Sequence, residues 1–268
     1  MKSKKALIVI SFGSTFTETR LQDIGGIEQC LAEAFPAYEK FRAFTSNIIR
    51  KRLAEKGLVI ADPESILKKL VANGYEEVIL QPTHLLHGEE FEQKIEALKE
   101  FYAPSFRKFI VSQPLIVQDS DYELTACAIA SQFPALGKNE GIILMGHGTP
   151  RNNNKAFGYT YNKMQAVFDA MELPVVVGTV EESDSPNFEA ALDLVLQRGY
   201  KKVHMYPLMV VAGDHANNDM YGDDVDSWKC QIEARGVKTE GHLHGIGRNK
   251  AVQALYVEHV LEAMSKNK

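Results

Sequence analysis

The sequence predicts an α/β protein of two similar halves, each a parallel sheet flanked by helices. Three observations predict it. Short β-branched runs alternate with longer amphipathic stretches along the 268 residues. These runs are apolar almost throughout, as strands covered on both faces are. The chain also repeats itself. "ADPESILKKLVANGYEEVILQPTHLLHGEE" (61–90) aligns with "SDSPNFEAALDLVLQRGYKKVHMYPLMVVAGDH" (183–215), placing Gly74-Tyr75 over Gly199-Tyr200, Pro82 over Pro207 and Gly88 over Gly213 at an offset of 125. "SFGS" (11–14) and "GHGT" (146–149) correspond at an offset of 135.

The first element is the strand "ALIVIS" (6–11). Its leader "MKSKKALIVISFG" starts like a signal peptide, but the apolar run is short and meets Phe-Gly-Ser-Thr with no small-residue cleavage site, so it reads as a buried strand. Asp62-Pro63-Glu64 then opens a helix, with a capping Asp, a first-turn Pro and an acid near the positive helix end. Ile66, Leu67, Leu70 and Val71 keep helical spacing, and Gly74 marks the stop. Strands follow at "EVILQP" (77–82), "KFIVSQ" (108–113), "GIILMG" (141–146), "PVVVGTV" (174–180) and "KVHMYPL" (202–208). His242 and His244 alternate along a further expected strand, and His259 lies on a final helix. The halves are expected at 1–125 and 126–268, with a cleft between them, and ligands of open α/β sheets collect outside the carboxyl ends of strands.

Composition excludes several classes. No apolar run approaches the ~18–20 residues of a membrane helix. Net charge is −5, with no basic block beyond the Lys2/Lys4/Lys5 tip and "IRKR", so nucleic acid is not an expected partner. Cys30, Cys127 and Cys230 form no CxxC pair, which points to a reducing cytoplasm. There is no P-loop, no G-x-G-x-x-G after a strand and no G-x-S-x-G elbow, so no nucleotide cofactor is expected.

Three strand ends of the second half carry metal-ligating or proton-carrying groups. His147 follows "GIILMG", Glu181 follows "VVVGTV" with Glu182 beside it, and His215 follows "HMYPLMVVAGD". Two imidazoles and a carboxylate suit Co, Ni, Fe or Zn rather than Mg or Ca, and they suit acid–base chemistry near neutral pH. Gly146 and Gly148 leave room for a large group to approach the backbone around His147. The first half has Phe12 and Glu90 at the positions of the two histidines. His84-x-x-His87 is a second histidine pair, expected to line the site rather than bind metal by itself, and His204 is expected to be structural. Asp214, Asp219, Asp223, Asp224 and Asp226 make "GDHANNDMYGDDVDSWK" the most acidic stretch, either a solvated helix start or a loop that escorts a cation.

Taken together, "ALIVISFGST", "LQPTHLLHGEEFE", "MGHGTP", "GTVEESDS" and "YPLMVVAGDHANNDMYGDDVDSWK" resemble the anaerobic sirohydrochlorin cobaltochelatase family, a branch of the class II chelatases. The resemblance covers essentially the whole chain. It implies a two-lobed α/β fold, a tetrapyrrole substrate and ATP-independent insertion of Co²⁺ in cobalamin biosynthesis. It carries the metal and catalytic roles onto His147, Glu181 and His215, with Glu182 as the adjacent alternative carboxylate. Substrate-binding positions are expected at Ser11, Phe12, Gly13, His84, Gly88, Glu89, Gly146 and Gly148. Tyr221 stands where the family's loop has a small residue. Ferrochelatase or nickel chelatase activity on a related tetrapyrrole stays open, as does a non-catalytic haem- or metal-binding role with His84 and His87 as axial ligands. A homo-oligomer is expected.

Overall fold

The predicted apolar runs become the inner strands and one edge strand of each of two sheets. The computed structural model describes residues 3–151 and 155–267; Lys2 of the basic tip lies outside them. Eight strands are present among the described residues: β1 (Lys5–Ser11), β2 (Glu39–Phe44), β3 (Glu77–Pro82), β4 (Lys108–Val111), β5 (Glu140–Gly146), β6 (Val175–Thr179), β7 (Lys202–Leu208) and β8 (Lys238–Gly241). All pairings are parallel, and the two sheets have the same order, β2-β1-β3-β4 and β6-β5-β7-β8. Pairing Ile10 with Pro82 in one sheet corresponds to pairing Met145 with Pro207 in the other. The two offsets of the sequence repeat therefore describe one conserved strand register.

Two strands are absent from the sequence expectations, β2 "EKFRAF" and β8 "KTEG". Both are sheet edges rich in charge: β2 opens on exposed Glu39 and Lys40 and becomes buried only at Ala43 and Phe44, while β8 alternates exposed and half-buried residues, so neither carries a continuous apolar run. His242 and His244 lie just past β8 rather than within it. The predicted helix is Pro63–Ala72, where the Asp62 carboxylate accepts the Ser65 N–H at 2.8 Å. Its counterpart, Phe188–Gln197, is capped by Asn187, which accepts from Ala190 N–H.

The chain divides into two units, Met1–Val117 with Lys250–Lys268, and Gln118–Asn249. The expected boundary at 125/126 differs from this division in two ways. Helix Asp119–Ala130 begins the second unit, and the final helix returns to the first. That return has a physical cause: Val252, Tyr256 and Val260 form a fully buried stripe at helical spacing, packed on helix Gly25–Ala34 and against β3 and β4. Each unit has its own core. Ile8, Ile10, Leu67, Leu70, Val78 and Leu80 lie in the first, and Ile143, Met145, Val195, Met205, Trp228 and Ile232 in the second. Among the described residues no helix is long and apolar enough to cross a membrane.

Candidate metal centre

The carboxyl ends of β5, β6 and β7 bring the expected chemistry together in the second unit. β5 stops at Gly146, and a Cβ there would collide with the ring of Tyr161. The missing Cβ thus admits a buried tyrosine, a different reason for glycine from the approach of a substrate. Beyond the strand the pairing continues, with Val180 N–H donating to Gly146 O at 3.0 Å and Glu181 N–H to His147 O at 3.1 Å. Gly148 has φ +95°, and a Cβ there would lie 2.6 Å from Glu181 Cβ. Glycine is required on both counts. Glu181, rather than the exposed Glu182, is therefore held against the histidine loop.

His147 is exposed, and its ring meets that of His215 edge to face, with centroids 4.8 Å apart. His215 begins a wide turn, His215–Met220, of the π type that recurs at functional sites. The turn brings Asp219 Oδ2 to 2.6 Å from His215 Nδ1. A carboxylate accepting from Nδ1–H leaves Nε2 with its lone pair outward, the arrangement of a metal-ligating histidine. One acid of the acidic stretch is thus committed to His215, while Asp223 pairs with Lys229. Tyr221 packs against Gly241 of β8, with Lys229 above its ring.

One residue essential to this geometry was given no role from sequence. Asp184, 4% exposed, accepts from Thr149 N–H (2.6 Å), Thr149 Oγ1 (2.7 Å), Gly158 N–H (2.9 Å) and Ser185 N–H (2.8 Å). It fastens the His147 loop to the Glu181 loop. Its signal was the Asp inside "EESDS", which three-dimensional pairing alone distinguishes from its acidic neighbours.

The equivalent strand ends of the first unit are built differently. Ser11 is buried, and its Oγ accepts from Thr83 Oγ1 at 2.8 Å. Phe12 is half exposed, and Gly13, at φ +105°, leaves room for the Phe44 ring. Gly88 precedes the short helix Glu89–Phe91, whose exposed Glu89 accepts from Gln93 Nε2 at 2.7 Å. His84 and His87 turn to different partners: His84 Nε2 is 3.6 Å from Glu90 Oε2, and His87 Nε2 is 3.5 Å from Glu92 and 3.6 Å from Glu96. Burial works to raise the Glu90 carboxyl, but His84, the Thr45 hydroxyl at 2.7 Å and Lys94 outweigh it and bring it down to about 2. Burial and the neighbouring His204 push His242 below the usual histidine range.

His147, Glu181 and His215 do not close into a set with every ligand atom within 4.8 Å of the others; among the described residues that holds only for His204, Glu240 and His242. The first trio is a looser arrangement, with His147 exposed and His215 partly exposed.

Comparison with known proteins agrees with this architecture. The chain is 36% identical over 263 residues to the sirohydrochlorin cobaltochelatase of Salmonella typhimurium, covering 98% of this chain and 97% of that protein. It is 28% identical over 267 residues to the sirohydrochlorin cobaltochelatase CbiKC of Nitratidesulfovibrio vulgaris, covering 98% and 92%. Its fold is similar to that of SirB from Bacillus subtilis, solved with Fe³⁺, at TM-score 0.61 and 16% identity over 97% of this chain and 95% of that one. It is also similar to CbiX, described as the terminal enzyme of siroheme biosynthesis in denitrifying bacteria, at TM-score 0.56 and 15% identity over 97% and 99%. The family model for cobalt chelatases (CbiK) matches residues 5–265, and with near full-length identity to the Salmonella enzyme it places the chain in that family.

Proposed function

We infer that this protein inserts Co²⁺ into sirohydrochlorin without a nucleotide cofactor. In this reading His147 and His215 receive the ion, and Glu181 serves as third ligand or proton acceptor. The observation that carries it is the meeting of the two imidazoles, 4.8 Å apart, beyond the carboxyl ends of β5 and β7. Relatives of near-equal length named sirohydrochlorin cobaltochelatase support it. Two nitrogens and a carboxylate form a donor set of intermediate softness, suited to a first-row divalent ion.

The ion is a substrate, so it must be held and then released. An exposed pair of imidazoles with one flanking carboxylate does both better than a closed four-ligand cage. As Co²⁺ enters the macrocycle two pyrrole N–H bonds break, the nitrogens keep the electron pairs, and two protons leave. A neutral imidazole facing the ring is the natural first acceptor, worth roughly 10²–10⁴-fold in rate. Asp219 stabilises the positive charge that then develops on His215. The free cysteines fit a cytoplasmic enzyme, and assembly as a homo-oligomer completes the reading.

The test is a stopped optical assay with sirohydrochlorin and Co²⁺, run beside His147→Ala/His215→Ala and repeated with Fe²⁺ and Ni²⁺. Catalysed conversion in the wild type, fastest with Co²⁺ and absent in the double variant, is the expected result. A wild-type rate no greater than the protein-free rate overturns the reading.

A further inference from the structure

At its amino end the same strand that leads to His215 carries a second cluster of metal-ligating groups. His204, third residue of β7, is 4% exposed and lies on the face opposite the core residues Val203 and Met205. Glu240 is its register partner on β8, and His242 follows two residues later. His204 Nδ1 faces His242 Nε2 at 3.1 Å. The Glu240 carboxylate stands 3.8 Å from the former nitrogen through Oε2 and 3.7 Å from the latter through Oε1. His242 is held in place by parallel stacking on Tyr206, with centroids 4.1 Å apart.

A structural histidine at this depth is ordinarily satisfied at both nitrogens. His204 Nε2 is buried without a hydrogen-bond partner, facing Glu140 Oε2 at 3.7 Å. The negative charge nearby favours the hydrogen on Nε2, which leaves the Nδ1 lone pair facing His242. Two nitrogens each ~2.0–2.1 Å from a tetrahedral ion stand about 3.3 Å apart. The Nδ1–Nε2 separation of 3.1 Å and the 3.7 Å from Glu240 Oε1 to His242 Nε2 differ from that by only a few tenths of an ångström, and all three ligand atoms lie within 4.8 Å of one another. In the free protein one facing nitrogen carries the hydrogen between them. An ion replaces it once His242 holds its proton on Nδ1, with no net proton lost.

We propose that His204, Glu240 and His242 form a second binding site for a first-row divalent cation, clamping edge strand β8 to β7. Two imidazoles and one carboxylate select Zn²⁺ or Co²⁺ over Mg²⁺ or Ca²⁺. Lys202, whose Nζ is 2.6 Å from Glu240 Oε2, keeps one carboxylate oxygen engaged and leaves Oε1 for the ion. The site is distinct from the His147–His215 pair. From His204 to the end of β7 at Leu208 the strand runs ~13 Å, and six more residues precede His215.

Calorimetric titration of the whole protein with CoCl₂ and ZnCl₂, with the visible absorption of bound Co²⁺ recorded in parallel, decides the matter. His147→Ala/His215→Ala is expected to retain one equivalent of either ion and to gain thermal stability from it. Adding His242→Gln is expected to raise its Kd at least 100-fold, and adding Glu240→Gln at least tenfold. In the wild-type background His242→Gln alone is expected to remove one equivalent, which keeps the test valid if the double variant folds poorly. An unchanged stoichiometry and affinity in His242→Gln overturns the proposal. So does a folded His147→Ala/His215→Ala that binds no ion. Wild-type protein that binds this second equivalent but does not speed sirohydrochlorin conversion over the protein-free rate counts against the chelatase reading alone.

Discussion

Asp184 and Asp219 hold the candidate centre by different means. Asp184 is buried and accepts four hydrogen bonds from two loops, so its loss leaves several donors unpaired. Asp184→Ala is expected to cost about 1–3 kcal/mol of stability and to slow cobalt insertion at least tenfold, read by thermal unfolding and the optical assay together. Asp219 is half exposed and bonds His215. Asp219→Asn is expected to leave the unfolding transition nearly in place and to lower insertion or Co²⁺ affinity by about 10–100-fold, the usual effect of removing a ligand's orienting partner. Glu90 makes a pH prediction. Its carboxyl sits at about 2 against an ordinary 4.5, so between those values the folded chain binds fewer protons than the unfolded one. The stability this group contributes is complete above pH 4.5 and is lost as pH falls towards 2. The stability difference between wild type and Glu90→Gln is therefore expected to be flat from pH 7 to 5 and to shrink below that in denaturant titrations.

The strand ends show how a duplicated scaffold acquires chemistry on one side only. Gly13 and Gly148 both adopt positive φ after the position that is Phe12 in one unit and His147 in the other. The turn is shared, and the side chain it presents is what differs. Gly148→Ala is expected to abolish insertion and cost about 1–3 kcal/mol, because a Cβ there is strained at φ +95° and meets Glu181 Cβ at 2.6 Å. A variant with full activity would show that the loop tolerates displacement of Glu181. These turns also mark how far the sequence was legible. The inner strands β1, β3, β5 and β7 were readable because burial on both faces writes a continuous apolar run. The repeat offsets were readable because Pro82/Pro207 and the glycine turns recur at fixed register. Of the edges, β4 and β6 were readable because they keep an apolar run, whereas β2 and β8 were not, since each carries charges at exposed positions. His147, Glu181 and His215 were legible as strand-end residues, while Asp184 and the His204–Glu240–His242 cluster needed the pairing of elements far apart in sequence. His204 in particular reads as one polar residue inside a strand until β8 is laid beside it.

At the scale of the whole chain, the duplication is complete in topology but not in sequence order. Two units share the strand order 2-1-3-4, yet the last helix, Lys250–Lys266, belongs to the first unit and not to the second that precedes it. The first unit is thus assembled from both ends of the chain, and its strand-end loops depend on residues far away in sequence. Tyr256 shows the dependence. Its ring is fully buried, and its hydroxyl donates to the carbonyls of Thr83 (3.0 Å) and His84 (3.3 Å), at the start of the loop that carries Gly88 and Glu90. Burial pushes the phenol far above its usual range, so it stays protonated and donating at any pH where the protein folds. Tyr256→Phe keeps the packing and removes the donor, and is expected to cost about 1–3 kcal/mol, since buried carbonyls lose a partner. Hydrogen exchange should then rise across residues 83–91 and around the final helix. Trp228 lies in the core of the other unit and is the chain's single tryptophan, so its emission reports that unit separately and is expected to be unchanged in the native variant. Faster exchange confined to the second unit, with residues 83–91 unaffected, would mean that the returning helix does not support the His84 loop.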